Sequence, residues 1–177
     1  EATLRELEKK GFEVVRIPTQ NGVIDMDFAG KAIDKNTILV TAMMVNNETG
    51  ALYDLKSLFA LAKRNAPGVV THCDAVQGFL KVPCDPVGWG VDMMSFSAHK
   101  IGGPKGSGAL YISPRVRAPL PMLFGGGQEK GLRSGTENVI GIAGFGAAAE
   151  EEYNNLAATL PHLLALRERA KERLQAL

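Results

Sequence analysis

Apolar positions along this chain recur in two alternating periods, and the switching between them predicts strands interleaved with helices. Leu4 and Leu7, followed by Lys10-Gly11, read as the last turns of an amphipathic helix that Gly11 stops. Phe12–Ile17 alternates as a strand does, and Pro18 ends it. Asp25 is placed to cap a short helix over 26–33, because its carboxylate can accept from the free N–H groups of the first turn. Thr37–Met43 is a β-branched and apolar run, the pattern of a buried strand, and it empties into the polar loop Val45–Gly50. Asp54 then caps a helix with Leu55, Leu58, Phe59 and Ala62 on one face, closed off by Pro67-Gly68. Val69–Cys73, Val91–Phe96 and Ala109–Ile112 complete the strands.

This order predicts an α/β fold with a mostly parallel sheet flanked by helices. Functional groups in such sheets gather beyond the carboxyl ends of the strands. Three polar clusters fall at such ends: Asn46-Asn47-Glu48, Asp74 with Gln77, and Ser97 with His99 and Lys100.

Downstream, Phe124–Asn138 is a glycine-rich polar loop with neither period, and loops of that length in compact domains are usually functional or interfacial. Val139–Tyr153 reads as a helix rich in Ala and Gly, suited to close packing. Asn154-Asn155 is expected to interrupt it, and Pro161 to open a final helix with Leu163, Leu164, Leu166, Ala170 and Leu174 on one side. Two segments are therefore expected: 1–154 as the body of the domain and 155–177 as a helix leading out of it. Both ends fall inside helical pattern, so the chain reads as the middle of a longer protein.

Composition narrows the class of function. With 177 residues, 45% of them hydrophobic, and a formal net charge of +1, the chain can bury one substantial core and has no charge bias towards nucleic acid or anionic membrane. No apolar run reaches the roughly 18–20 residues of a membrane span. Aromatics are 6%, too few for a base-stacking platform. Cys73 and Cys84 form no CxxC pair, and with three dispersed His they give no metal-ligand spacing, so no metal is expected. A cytoplasmic or organelle-matrix setting with reduced thiols follows.

Lys100 lies beside a hydroxyl and an imidazole where a strand gives way to the loop Gly102–Gly108, an arrangement that can hold a lysine for covalent chemistry. A lysine paired at a distance with an aspartate suits pyridoxal 5'-phosphate. Its aldehyde forms a Schiff base with lysine, and its ring nitrogen needs a carboxylate to stay protonated. Asp74 is placed for that second role, or as a turn cap. Gln77 could donate to the ring oxygen or be a solvated loop residue. Ser97 and His99 could bind a phosphate or hydrogen-bond structurally. Gly102–Ser107 is no Walker loop, since its lysine precedes the glycine and lacks a following Ser or Thr, and no GxGxxG follows a strand. Cys73, inside an apolar strand, reads as a small buried thiol.

Four stretches in order over nearly the whole chain carry a resemblance: Met44–Gly50, His72–Gln77, Ser95–Lys100 with Gly103–Gly106, and Gly125–Glu129 leading to Arg133–Asn138. They resemble the cysteine desulfurases, the NifS/IscS-like members of the class V aminotransferase group, and so imply the large domain of a fold-type I pyridoxal-phosphate enzyme. The resemblance implies that Lys100 carries the cofactor as a Schiff base and that Asp74 pairs with the ring nitrogen. It further implies that Gln77 bonds the ring oxygen, Ser97 and His99 bind the phosphate, and Asn47 lies beside ring and substrate. Thr136 would reach the phosphate in a neighbouring subunit, making the glycine-rich loop part of a homodimer interface. The implied reaction takes sulfur from L-cysteine, leaving L-alanine and an enzyme persulfide that supplies a sulfur-acceptor protein for iron–sulfur clusters or tRNA thiolation. A selenocysteine lyase or sulfinate-processing relative is the alternative within the class, and a degenerate assembly module the alternative outside it.

The resemblance also marks what this stretch lacks. The family's nucleophilic cysteine and substrate-gripping arginine are expected after Leu177, and its phosphate-cradling helix and ring-stacking histidine before Glu1. Neither Cys73 nor Cys84 takes the nucleophile's place, so this stretch alone is expected to be inactive.

Overall fold

A computed structural model describes residues 2–117 and 119–176. Glu1 and Leu177, which bound the two expected segments, lie outside the described residues. In chain order the elements are α1 (Ala2–Lys9), β1 (Thr19–Gln20), β2 (Val23–Ile24), α2 (Met26–Ala32), β3 (Leu39–Met43), α3 (Leu55–Asn65), β4 (Val70–Asp74), β5 (Met93–Ser97), a 3-10 turn (Ala98–Ile101), β6 (Gly108–Ile112), a second 3-10 turn (Gln128–Gly131) and α4 (Val139–Gln175).

The main sheet has the order β3-β4-β5-β6. β3, β4 and β5 run parallel, and β6 returns antiparallel against β5. One face of this sheet carries the core. Val40, Cys73 and Met94 are buried there, in one cluster with Leu55, Leu58, Phe59 and Ala62 of α3, and Thr71 is buried on the same face. Burying side chains of the size of Leu58 or Phe59 contributes about 1.5–3 kcal/mol each. Both capping expectations hold: Asp25 accepts from the Phe28 N–H at 2.8 Å and Asp54 from the Ser57 N–H at 3.0 Å. The bond from Ser57 also holds the Asp54 carboxyl below its ordinary value.

Asp92 ties the far end of the sheet together. Its buried carboxylate accepts from the Thr71 N–H at 3.0 Å, from Lys63 at 3.2 Å and from Arg115 at 3.0 Å. Lys63 also donates to the Gly90 carbonyl. Burial works to raise the Asp92 pKa, but the Thr71 N–H and the Lys63 ammonium outweigh it and hold the group below its ordinary range.

Two expectations are corrected. Phe12–Ile17 is not a strand, because alternation gives a strand only where a neighbour completes the ladder, and no described residue pairs with it. The pairing nearby is instead the hairpin β1-β2 across Asn21-Gly22, whose φ values of 51° and 79° are those of a type I′ turn. Second, α4 does not break at Asn154-Asn155, nor does a new helix begin at Pro161; the helix is continuous over 37 residues with Pro161 inside it. An asparagine inside a helix costs only about 0.7 kcal/mol, and Pro161 forfeits about 3 kcal/mol. The Ala- and Leu-rich turns on either side carry the helix across both. None of the helices is long and apolar enough to cross a membrane among the described residues.

Small residues let α4 dock. A Cβ added at Gly144 would lie 2.7 Å from Pro104, and one at Gly141 2.2 Å from the Ser107 hydroxyl. Phe145 meets Phe79 edge-on at 6.4 Å between ring centroids, and Phe79 packs on Phe96 at 4.5 Å. The helix is thereby seated on the turns that follow β4 and β5.

Candidate active site

Parallel register brings the strand ends to one edge. Met43 is paired with Asp74 and Asp74 with Ser95, so the carboxyl ends of β3, β4 and β5 stand side by side. Asn47 lies four positions past the end of β3, Gln77 three past the end of β4, and Lys100 three past the end of β5. These loops emerge from one sheet edge, where functional groups gather in sheets of this kind.

Asp74 is half-buried at the last position of β4, and its Oδ1 accepts from the Val76 N–H at 3.0 Å. That bond is the turn cap weighed from the sequence, and it leaves Oδ2 for another donor. Gln77 follows in a turn pressed against the core: a Cβ on Gly78 would meet the Met44 sulfur at 2.5 Å. Asn47 is exposed, and Asn46 rather than Asn47 organises its loop, accepting from the N–H groups of Glu48 and Thr49 at 2.9 Å each.

Ser97 ends β5, and its hydroxyl lies 2.7 Å from His99 Nδ1. The pair is the structural hydrogen bond considered above; with a neutral ring it leaves one proton to donate outward, on the hydroxyl or on the second ring nitrogen of His99 according to the tautomer. Lys100 sits in the 3-10 turn that Gly102 closes at φ 79°, a left-handed position that suits glycine. It makes no ion pair with a described residue, and it lines a cavity of about 250 Å³ between this turn and α4. Asp74, Gln77 and Ser97 are not among the walls of that cavity. Thr136 is exposed, on the connection from the second 3-10 turn into α4.

The structure adds a residue that the sequence motifs did not single out. His72 is two positions before Asp74, so both project from the face of β4 opposite Cys73. Its Nδ1 lies 2.7 Å from the Thr41 hydroxyl; burial pushes its pKa down while Asp74 opposes the shift. The two-residue spacing in a strand was the signal available. Cys73, on the buried face, is pushed up to about 12 by burial, with the charges of Cys84 and Asp74 adding to it. It is a protonated core thiol.

The donor set fits pyridoxal phosphate: an amine without an ionic partner among the described residues, a carboxylate with one free oxygen, and a hydroxyl–imidazole pair, all at or just past adjoining strand ends. The fold and these residues together define a fold-type I cofactor-binding domain.

Comparison with known proteins agrees. The model of the aminotransferase class-V family matches residues 2–177, and the chain belongs to that family, whose enzymes work with pyridoxal phosphate. It is 45% identical over 177 residues to the cysteine desulfurase IscS of Anaeromyxobacter sp. (strain Fw109-5), covering 98% of this chain and 43% of that protein. Identity to the cysteine desulfurase IscS of Rickettsia africae (strain ESF-5) is 43% over 162 residues, 90% of this chain and 39% of that one. Among solved structures, a NifS-like protein superposes with a TM-score of 0.95 at 38% identity, over 99% of this chain and 48% of the other. A NifS-like protein from Rickettsia africae ESF-5 gives 0.90 at 32% identity, over 100% and 49%. The chain thus spans less than half the length of the curated relatives it matches.

Proposed function

We propose that the full-length protein is a pyridoxal-phosphate-dependent cysteine desulfurase that converts L-cysteine to L-alanine and passes the sulfur to an enzyme persulfide. The observation that carries the reading is the row of strand ends, where a lysine without an ionic partner among the described residues and a half-free aspartate stand at the ends of adjoining parallel strands. The similarity to two cysteine desulfurases over nearly all of this chain supports the substrate.

In this reading Lys100 would hold the cofactor and its amine would move a proton at the α-carbon of the bound amino acid. The free oxygen of Asp74 keeps a proton on the ring nitrogen, and Gln77 donates to the ring oxygen. Ser97 and His99 bind the phosphate, their mutual bond orienting the hydroxyl and the ring. Asn47 sits beside ring and substrate. Bound pyridoxal phosphate supplies the electron sink that lets carbanionic character develop next to the substrate's carboxylate. Cys73, buried and protonated, is unsuited to accept the sulfur, and the reading places the accepting thiol outside this stretch.

The protein is further read as a homodimer. Leu120, Met122, Phe124 and Ile140 are between 83% and 94% exposed on and beside the glycine-rich loop, an apolar surface that a second copy would cover. Thr136, on the same loop, would then reach the partner's cofactor. The C-terminal half of α4 is read as leading towards a second domain, and the persulfide as serving a sulfur-acceptor protein in the cytoplasm or an organelle matrix. Release of sulfide from L-cysteine by the full-length protein with added reductant tests the reading; lack of turnover with cofactor bound contradicts it.

A further inference from the structure

We infer that Pro104 and Ser107 are positioning residues for Lys100, set in place by two glycine notches on α4; the inference rests on Lys100 being the residue that holds the cofactor. The loop from Ala98 to Ser107 is closed on itself at its root. The buried Ala98 donates its N–H to the Ser107 carbonyl at 3.0 Å, and its own carbonyl accepts from the Gly103 N–H at 2.9 Å. Ser97 and Gly108, on either side, are paired across β5 and β6. Lys100 is carried between these bonds, so it moves as the loop moves.

The sheet holds the root of the loop and α4 holds its crown. A Cβ on Gly144 would lie 2.7 Å from Pro104 Cγ and 3.1 Å from its Cδ, and one on Gly141 would lie 2.2 Å from Ser107 Oγ. The proline ring cannot swing aside, because it is closed onto the backbone. The Ser107 hydroxyl is buried and makes no hydrogen bond among the described residues, so what it brings to the contact is bulk. The Asn138 amide nitrogen also lies 2.4 Å from the Cβ position of Gly141, but it ends a side chain that can turn. Neither glycine has a positive φ, so the backbone at both would accept alanine, which is otherwise favoured over glycine inside a helix. The seating of the loop is what asks for glycine there. Bulk added at either notch therefore pushes the loop, and Lys100 with it, away from its place beside the strand end that carries Asp74.

The test adds pyridoxal phosphate to the cofactor-free, full-length protein and follows its covalent attachment by absorbance, with circular dichroism as the control on folding. Gly144→Ala should slow attachment about tenfold in protein that remains folded, because a misplaced amine loses its line of approach. Pro104→Ala in the same chain should bring the rate back to within about twofold of wild type. Gly141→Ala should slow attachment likewise, and Ser107→Ala should rescue it. Rescue should be pairwise, so Ser107→Ala leaves Gly144→Ala slow and Pro104→Ala leaves Gly141→Ala slow. Wild-type rates in both glycine variants overturn the inference, and so does rescue by neither partner or by both alike. If one glycine variant fails to fold, the other pair decides by the same criterion. Borohydride reduction of the loaded wild-type protein separates the two claims. Cofactor trapped away from Lys100 removes the functional reading of that lysine, whereas trapping on Lys100 with rates unmoved by the glycine variants removes only the role of Pro104 and Ser107.

Discussion

The Ser97 hydroxyl and His99 Nδ1 meet at 2.7 Å across the point where β5 becomes a 3-10 turn. The contact fixes a hydroxyl and an imidazole at the entrance to the turn that carries Lys100. Ser97→Ala removes the hydroxyl and frees the ring, so retention of pyridoxal phosphate should weaken by about tenfold, as expected for a hydrogen bond to a charged group. Cofactor dissociation followed by absorbance, with His99→Gln as the companion variant, checks this. Unchanged retention in both would place the phosphate elsewhere.

Asp74 keeps one carboxylate oxygen beyond its bond to the Val76 N–H. Asp74→Asn retains the shape but cannot keep the ring nitrogen protonated, so turnover should fall by about a hundredfold or more while the protein stays folded. Steady-state sulfide release beside circular dichroism distinguishes that result from simple loss of structure.

Cys73 is buried and its thiol is pushed up to about 12. Thiol reagents should modify it only after unfolding, and Cys73→Ala should leave sulfide release unchanged. Mass mapping of modified native and denatured protein reads the first result. Loss of turnover in a folded Cys73→Ala variant would mean that the sulfur passes through this thiol after all.

Asp92 carries a stability prediction whose sign follows from its lowered pKa. Protons bind the unfolded carboxyl more tightly than the folded one, so its contribution is complete above the ordinary value of 3.8 and is lost as pH falls through the lower folded value. Asp92→Asn leaves Lys63 and Arg115 facing a neutral group and should cost about 3–5 kcal/mol. Urea unfolding at neutral pH measures it, and the difference from wild type should shrink in acid.

The glycine-rich loop predicts the oligomeric state. Met122 and Phe124 are 94% and 83% exposed in the single chain. Replacing both with aspartate should turn a dimer into a monomer by sedimentation, and with it remove the contribution of Thr136 to the partner's cofactor. A protein that sediments as a dimer regardless would place the interface on another face.

Much of this was legible in the sequence because it rests on local chemistry. Asp25 and Asp54 cap as their positions dictate, and the β-branched runs at Leu39–Met43 and Val70–Asp74 became neighbouring strands. What was not legible depends on partners distant in the chain. Phe12–Ile17 alternates correctly, yet no described strand lies beside it. Asp92 reads as a polar residue at the start of a strand until Lys63 and Arg115 are found converging on it. Pro161 obeys a local rule for helix starts that the surrounding helix overrides. Asn21-Gly22 did carry its hairpin signal openly, but the strands it joins are two residues each, too short to show a period.

The most direct test of the account is borohydride reduction of the pyridoxal-phosphate-loaded, full-length protein followed by peptide mapping. The account predicts a single pyridoxyl-modified residue, Lys100, and no trapped cofactor in Lys100→Ala. Modification at another lysine, or full trapping in the Lys100→Ala variant, would contradict it.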